Sequence, residues 1–224
     1  MKLSLFITTW VILCNSFTLM GQDFVSSSSG QLLMERKYNP GAKGVTLFSE
    51  YQKGKLIDRR GNVKEDILLN LNRIMGLFMS ESNGEEIVIN ERLYGEVVIH
   101  PNDQSMAQYT VMTFKNNLNP SDPWRYYQVL FESEDFIFAK GYESKVFSEG
   151  GSNYGKGSDT DLIKTYEYHY ILDGSGFEKI RLRSKDFAAK FPHQRSLLEK
   201  MEKQNNLQLK KENDVIKLFS LVWQ

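Results

Sequence analysis

Between residues 45 and 183 the apolar positions recur at every second residue, in short runs broken by turn-forming clusters. Alternation of this kind puts one side-chain set on each face of an extended chain, so the pattern predicts β-strands. The clearest case is 63–72, where Ile67, Leu69 and Leu71 fall on one face and Asp66, Leu68, Asn70 and Asn72 on the other. Further strands are expected at 55–58, 74–80, 87–89, 97–99, 109–114, 124–133, 136–145, 164–172 and 177–183. The links carry turn chemistry: Arg60-Gly61-Asn62, Ser82-Asn83-Gly84, Glu132-Ser133-Glu134-Asp135 and Asp173-Gly174-Ser175-Gly176. Asn-Gly is a hairpin signal because both residues tolerate left-handed backbone. Successive strands with short links read as an antiparallel meander.

After residue 183 the period changes. Ser184 stands where it would cap a short helix at 185–190, and Pro192 where it would open the next at its first position. Leu197, Leu198 and Met201 form that helix's apolar side, and Asn205-Asn206 ends it. Val215, Leu218, Phe219 and Val222 then recur at helical spacing within 212–222. A C-terminal pair of short amphipathic helices has to bury these stripes, and the nearest apolar surface is a sheet face. The expected fold class is therefore α+β: an antiparallel sheet, open or partly closed into a barrel, followed by helices packed on it.

The first residues follow different rules. Lys2 precedes an apolar run from Leu5 to Leu13, and small or polar residues lead to Gly21. The run is shorter than the roughly 20 residues of a membrane span, and the layout is that of a secretory signal peptide. With cleavage after Gly21, the chain divides into a signal peptide (1–21), a flexible leader (22–44) with four consecutive serines, an antiparallel β domain (45–183) and a helical segment (184–224). No transmembrane span is then expected to remain. The one cysteine, Cys14, lies within the signal, behind Leu13 rather than the small residue a lipoprotein signal requires. The mature chain is left without a disulfide, a thiol nucleophile or a zinc-thiolate site.

Composition narrows the function classes. Of 224 residues, 41% are apolar and 25% charged, which excludes a wholly disordered chain, a collagen-like fibre and a polytopic membrane protein. Lys+Arg and Asp+Glu both number 28, so no global field draws the chain to nucleic acid. Gly150 to Gly157 matches G-x-x-x-x-G-K, but Gly157 replaces the Mg²⁺-binding Ser or Thr and strands flank the loop. Asp159-Thr160-Asp161 lacks the glycine and terminal glutamate of a calcium loop. His100, His169 and His193 are too far apart in sequence for a metal motif, and no G-x-S-x-G is present. No catalytic residue, metal ligand or cofactor is therefore assigned.

The aromatic residues, 12% of the chain, remain as the chemical signal. Tyr166, Tyr168 and Tyr170 alternate along one strand face, and Trp124 and Tyr126 cluster after a proline-containing loop. Broad, stiff rings of this kind stack on a sugar or hold a peptide, and they also stabilise sheets by cross-strand pairing. The five are the candidate ligand-binding residues of a non-catalytic protein that engages an envelope partner or ligand. Two alternatives have other requirements. A secreted hydrolase of glycans or peptides needs two carboxylates, or a carboxylate with His169, converging in a cleft. An accessory subunit of an outer-membrane assembly needs a large exposed apolar patch.

Several segments together carry a resemblance: the Gly21-Gln22 signal end, Tyr51-Gln52-Lys53-Gly54-Lys55-Leu56, Arg60-Gly61-Asn62, Tyr126-Tyr127-Gln128-Val129-Leu130, and Lys185-Asp186-Phe187-Ala188-Ala189-Lys190-Phe191-Pro192. The chain resembles a group of exported proteins of Bacteroidota with no established activity. The resemblance implies a periplasmic or outer-membrane-associated location and a sheet-plus-helices shape, and brings no functional residues.

Overall fold

The computed structural model describes residues 43–82, 85–102, 106–147 and 162–223. The signal peptide, the leader as far as residue 42, the Asn83-Gly84 turn, and the phosphate-loop and calcium-loop matches within 148–161 lie outside the described residues. Ten strands form one antiparallel sheet: β1 (Gln52–Asp58), β2 (Val63–Asn72), β3 (Leu77–Ser82), β4 (Glu85–Val88), β5 (Tyr94–Ile99), β6 (Met112–Lys115), β7 (Tyr127–Glu132), β8 (Phe136–Phe147), β9 (Leu162–Asp173) and β10 (Gly176–Ile180). Their order across the sheet is β10-β9-β8-β7-β6-β5-β1-β2-β3-β4, so β10 and β4 are edges and the sheet is open rather than a closed barrel. All neighbours but one are consecutive in the chain. The exception is the pairing of β1 with β5, with Gly54 opposite Ile99 and Leu56 opposite Val97, which joins a four-stranded meander to a six-stranded one.

Three helices follow: α1 (Ser184–Lys190), α2 (Arg195–Gln204) and α3 (Glu212–Val222). The short α1 corresponds to the helix expected at 185–190, and α2 and α3 to the amphipathic pair. Two expected helix starts are displaced. The α1 cap position is Arg183, with no side-chain cap, while the Ser184 hydroxyl donates to Glu202 Oε2 on α2 at 2.7 Å. Pro192 lies ahead of α2, which begins at Arg195 after a turn. The strand expected at 74–80 starts only at Leu77, because Asn72 Oδ1 accepts from the Ile74 and Met75 amides and bends the chain first.

Apolar residues gather in three places. The first core joins Phe48, Leu56, Leu69, Leu71, Phe78, Val97, Ile99, Phe114 and Tyr126 beneath β1–β7. Residues 45–48 close its flank, where the buried Asn70 amide exchanges hydrogen bonds with the Phe48 backbone at 3.1 and 3.0 Å. The second core lies between the sheet and the helices. Phe219 meets Phe136, Phe138 and Phe187 edge-on at 5.1–5.4 Å between ring centres, and Val215 and Leu218 are buried beside it. Burying one such ring contributes about 2–3 kcal/mol, enough in sum to hold helices too short to persist alone. The third and smallest cluster joins Leu118, Tyr127, Ala139, Tyr170 and Phe177, and among the described residues no helical one enters it. No helix among the described residues is long and apolar enough to cross a membrane.

Candidate functional site

Strand β9 pairs with β8 in unbroken register over its whole length, from Phe136 opposite Asp173 to Phe147 opposite Leu162. Its sequence Thr-Tyr-Glu-Tyr-His-Tyr-Ile alternates, so the pleat sends Tyr166, Tyr168 and Tyr170 to one face and Glu167, His169 and Ile171 to the other.

On the first face the rings form a row. Tyr166 and Tyr168 stack nearly parallel, 6.0 Å apart with 8° between planes. Tyr170 stacks on Phe177 of β10 at 4.6 Å, and Tyr127 of β7 meets both edge-on at 5.5 and 4.9 Å. Gly141 lies opposite Tyr168 and makes this approach possible. A Cβ there would stand 3.0 Å from the Tyr170 ring and 3.2 Å from that of Tyr127. Lys179 Nζ sits 3.0 Å from the centre of the Tyr168 ring, and Lys145 Nζ lies 5.7 Å from that of Tyr166. The three β9 tyrosines are half-buried, with part of each ring in solvent. Burial raises the Tyr170 phenol well above its ordinary range, so it is neutral and available as a hydrogen-bond donor.

The structure separates the other two expected ligand residues from this row. Tyr126 is 1% exposed in the first core, where its hydroxyl donates to the Tyr94 carbonyl at 2.5 Å and its ring meets Phe78 edge-on. It is a core residue, not a surface for a ligand. Tyr127, the first residue of β7, faces the tyrosine row, while Tyr126 just ahead of the strand turns into the first core. Trp124 is 38% exposed and sits by two arginines, with the Arg92 and Arg59 guanidiniums 5.4 and 5.9 Å from its ring centre. Those arginines flank β1 and β5, so Trp124 makes a separate surface feature.

The second face of β9 holds a charged cluster that sequence reasoning missed, apart from His169. Lys140 lies directly opposite His169 on β8 and is only 7% exposed. Glu212, the first residue of α3, reaches both: its Oε2 is 2.6 Å from His169 Nε2 and 3.2 Å from Lys140 Nζ. Tyr109 donates its hydroxyl to Glu212 Oε1, and Lys140 also pairs with Glu167 at 2.8 Å. Burial alone would raise the Glu212 carboxyl. The His169 hydrogen bond, the Lys140 charge and the Tyr109 hydroxyl outweigh it and hold the group at about 2. Burial likewise works against the Lys140 charge, and Glu212 and Glu167 together overcome it. A legible trace existed in the row Phe136, Phe138, Lys140, Tyr142, which places a lysine where alternation demands an apolar side chain.

Chemically the two faces differ. Both Glu212 oxygens are engaged and the carboxylate is strongly ionised, which suits an anchor for the N-terminus of α3 better than a general base. Among the described residues no group of three His, Cys, Asp or Glu is placed to hold a metal ion. The tyrosine row offers stacking area, phenol hydroxyls and nearby cations. Compared with known proteins, the chain matches no family model, no curated protein and no solved structure.

Proposed function

We propose that this is an exported envelope protein, periplasmic or outer-membrane-associated, that binds a partner protein or ligand through the tyrosine face of β9 without catalysing a reaction. The observation that carries the reading is the continuous row Tyr166, Tyr168, Tyr170, Phe177 and Tyr127 on a face of the sheet to which no helical residue contributes among the described residues. Rigid aromatic rows give large contact area at small entropic cost. Export rests on the signal-like residues 1–21. The test is a screen of glycans and peptides against the mature protein and its folded Tyr166→Ala/Tyr168→Ala variant. A binder weakened by about 1–3 kcal/mol per ring supports the reading. Binders indifferent to both substitutions overturn it.

A secreted hydrolase is the second reading, favoured by one observation, the meeting of His169 with Glu212. It requires a glycan or peptide substrate whose turnover vanishes in Glu212→Gln while binding and folding persist. Turnover unchanged in that variant removes it.

A further inference from the structure

Strand β9 is longer than the strand beside it. β10 pairs only with the stretch from His169 to Asp173, and the chain then leaves the sheet for α1. From Leu162 to Tyr168, β9 therefore has β8 on one side and no strand among the described residues on the other. The direction of its backbone groups follows from two observations. The Ser144 amide turns away from β9 to donate to the Arg73 carbonyl at 3.2 Å, so the Ser144–Thr165 pair exchanges no hydrogen bonds across the β8–β9 ladder. The β9–β10 hairpin closes on the pair Asp173–Gly176, which points the odd-numbered residues of β9 toward β10. Both give the same phase. The N–H and C=O groups of Ile163, Thr165 and Glu167 face the open side, in line with the end of β10.

The side chains around this notch have a sign. Lys145 and Lys164, opposite one another, and Lys179 project on the tyrosine side, and none of the three forms an ion pair among the described residues. Lys164 Nζ lies 5.0 Å over the Phe147 ring instead. On the other face Gly44 packs against Thr165 and Ile163, and the Ser144 hydroxyl donates to its carbonyl at 2.5 Å, so the chain's own residues floor that side.

Resting on the tyrosine-face reading, we infer that the partner is an extended peptide segment that adds to the sheet as an eleventh strand. It pairs with Ile163, Thr165 and Glu167 in line with β10 and carries acidic side chains at alternate positions toward Lys164, Lys179 and the tyrosines. Main-chain hydrogen bonds supply affinity in this mode and the alternate side chains supply selectivity. The lysines of the notch also disfavour pairing with a second copy of the same basic edge.

The probe is the acetylated, amidated peptide Glu-Thr-Glu-Val-Glu-Thr-Glu, titrated calorimetrically into the mature protein. Two versions N-methylated at alternate residues, one in each phase, accompany it. Strand addition weakens one version by about tenfold or more and leaves the other nearly unchanged. Thr165→Pro, which removes an edge N–H and leaves the β8 ladder intact, produces a similar loss, as does Lys164→Glu combined with Lys179→Glu. Equal affinity of the two N-methylated peptides, or no binding of the parent at about 1 mM, overturns the inference. If polygalacturonate binds in a Tyr168-dependent way while the peptide does not, the strand falls and the tyrosine face stands. If the peptide binds with alternating N-methyl sensitivity but ignores Tyr168→Ala, the edge stands and the tyrosine-face reading falls.

Discussion

The two faces of β9 are built from alternating residues of one twelve-residue strand, yet they have opposite fates. The charged face is covered: Glu212 comes down from α3, Tyr109 from the segment before β6, and Lys140 from β8. Among the described residues the aromatic face receives no helix, and its rings pack on one another over Gly141. Hydrophobicity alone would have predicted the reverse. Polar groups tolerate burial when each finds a partner, and here Lys140, His169 and Tyr109 all meet Glu212 while Glu167 pairs with Lys140. The helices follow the phenylalanines at positions 136, 138 and 219, and the charged cluster sits at the margin of that packing. The comparison separates a face that ties helix to sheet from one whose rings, among the described residues, meet only strand and loop residues.

Removing the anchor should break this contrast most severely. Glu212→Ala leaves Lys140 and His169 facing each other without the shared carboxylate, and a loss of about 2–3 kcal/mol is expected in urea unfolding. A loss below about 0.5 kcal/mol would mean that α3 is held by its apolar side alone. The same group sets an acid limit. Its carboxyl is held at about 2 in the folded protein, against 4.5 for an ordinary glutamate. A depressed pKa stabilises the fold fully above the unfolded value, and that contribution is lost as pH falls from about 4.5 toward 2. Thermal melting followed across this window should fall steeply in the wild type and more gently in Glu212→Gln. Parallel curves would refute the linkage.

Smaller effects are expected on the other face. Gly141→Ala pushes a methyl into the Tyr127 and Tyr170 rings and should cost about 1–2 kcal/mol, measured in the same unfolding assay, with a change in near-ultraviolet tyrosine dichroism. Tyr168→Ala should cost the least, about 0.5–1 kcal/mol, because the ring is half-buried and its ring contacts are with one tyrosine and one lysine side chain. If Tyr168→Ala proves as damaging as Glu212→Ala, the row is a structural ladder and the contrast between the faces disappears.

The strands were legible because alternation is a local property. The stretch 63–72 and the β8–β9–β10 succession could be read directly from the order of apolar and polar residues. Helix α3 was legible for the same reason, through Val215, Leu218, Phe219 and Val222. What a single strand cannot reveal is which of its faces is covered, since that depends on elements far along the chain. Tyr126 and Tyr127 illustrate this: adjacent in sequence, they enter separate clusters on opposite faces. The Glu212 cluster draws on residues 109, 140, 167, 169 and 212, and no spacing rule connects them. Lys140 was the visible part, a cation in an apolar row that had to be neutralised by something. Ser184 shows the limit of capping rules, because its hydroxyl found Glu202 on the neighbouring helix instead of its own backbone.

The single out-of-order pairing in the sheet, β1 against β5, has a kinetic consequence. Each of the two meanders can assemble by successive pairings, every step closing a loop far shorter than the stretch between β1 and β5. Joining Gly54 to Ile99 and Leu56 to Val97 requires one closure across the whole of β2, β3 and β4. Chain entropy places the slow step there, because non-local contacts yield nothing until the intervening segment has been restrained. The molecule should therefore pass through a stage in which two hairpin stacks exist with exposed inner edges. How quickly those edges find each other would determine whether a newly made chain matures or joins another.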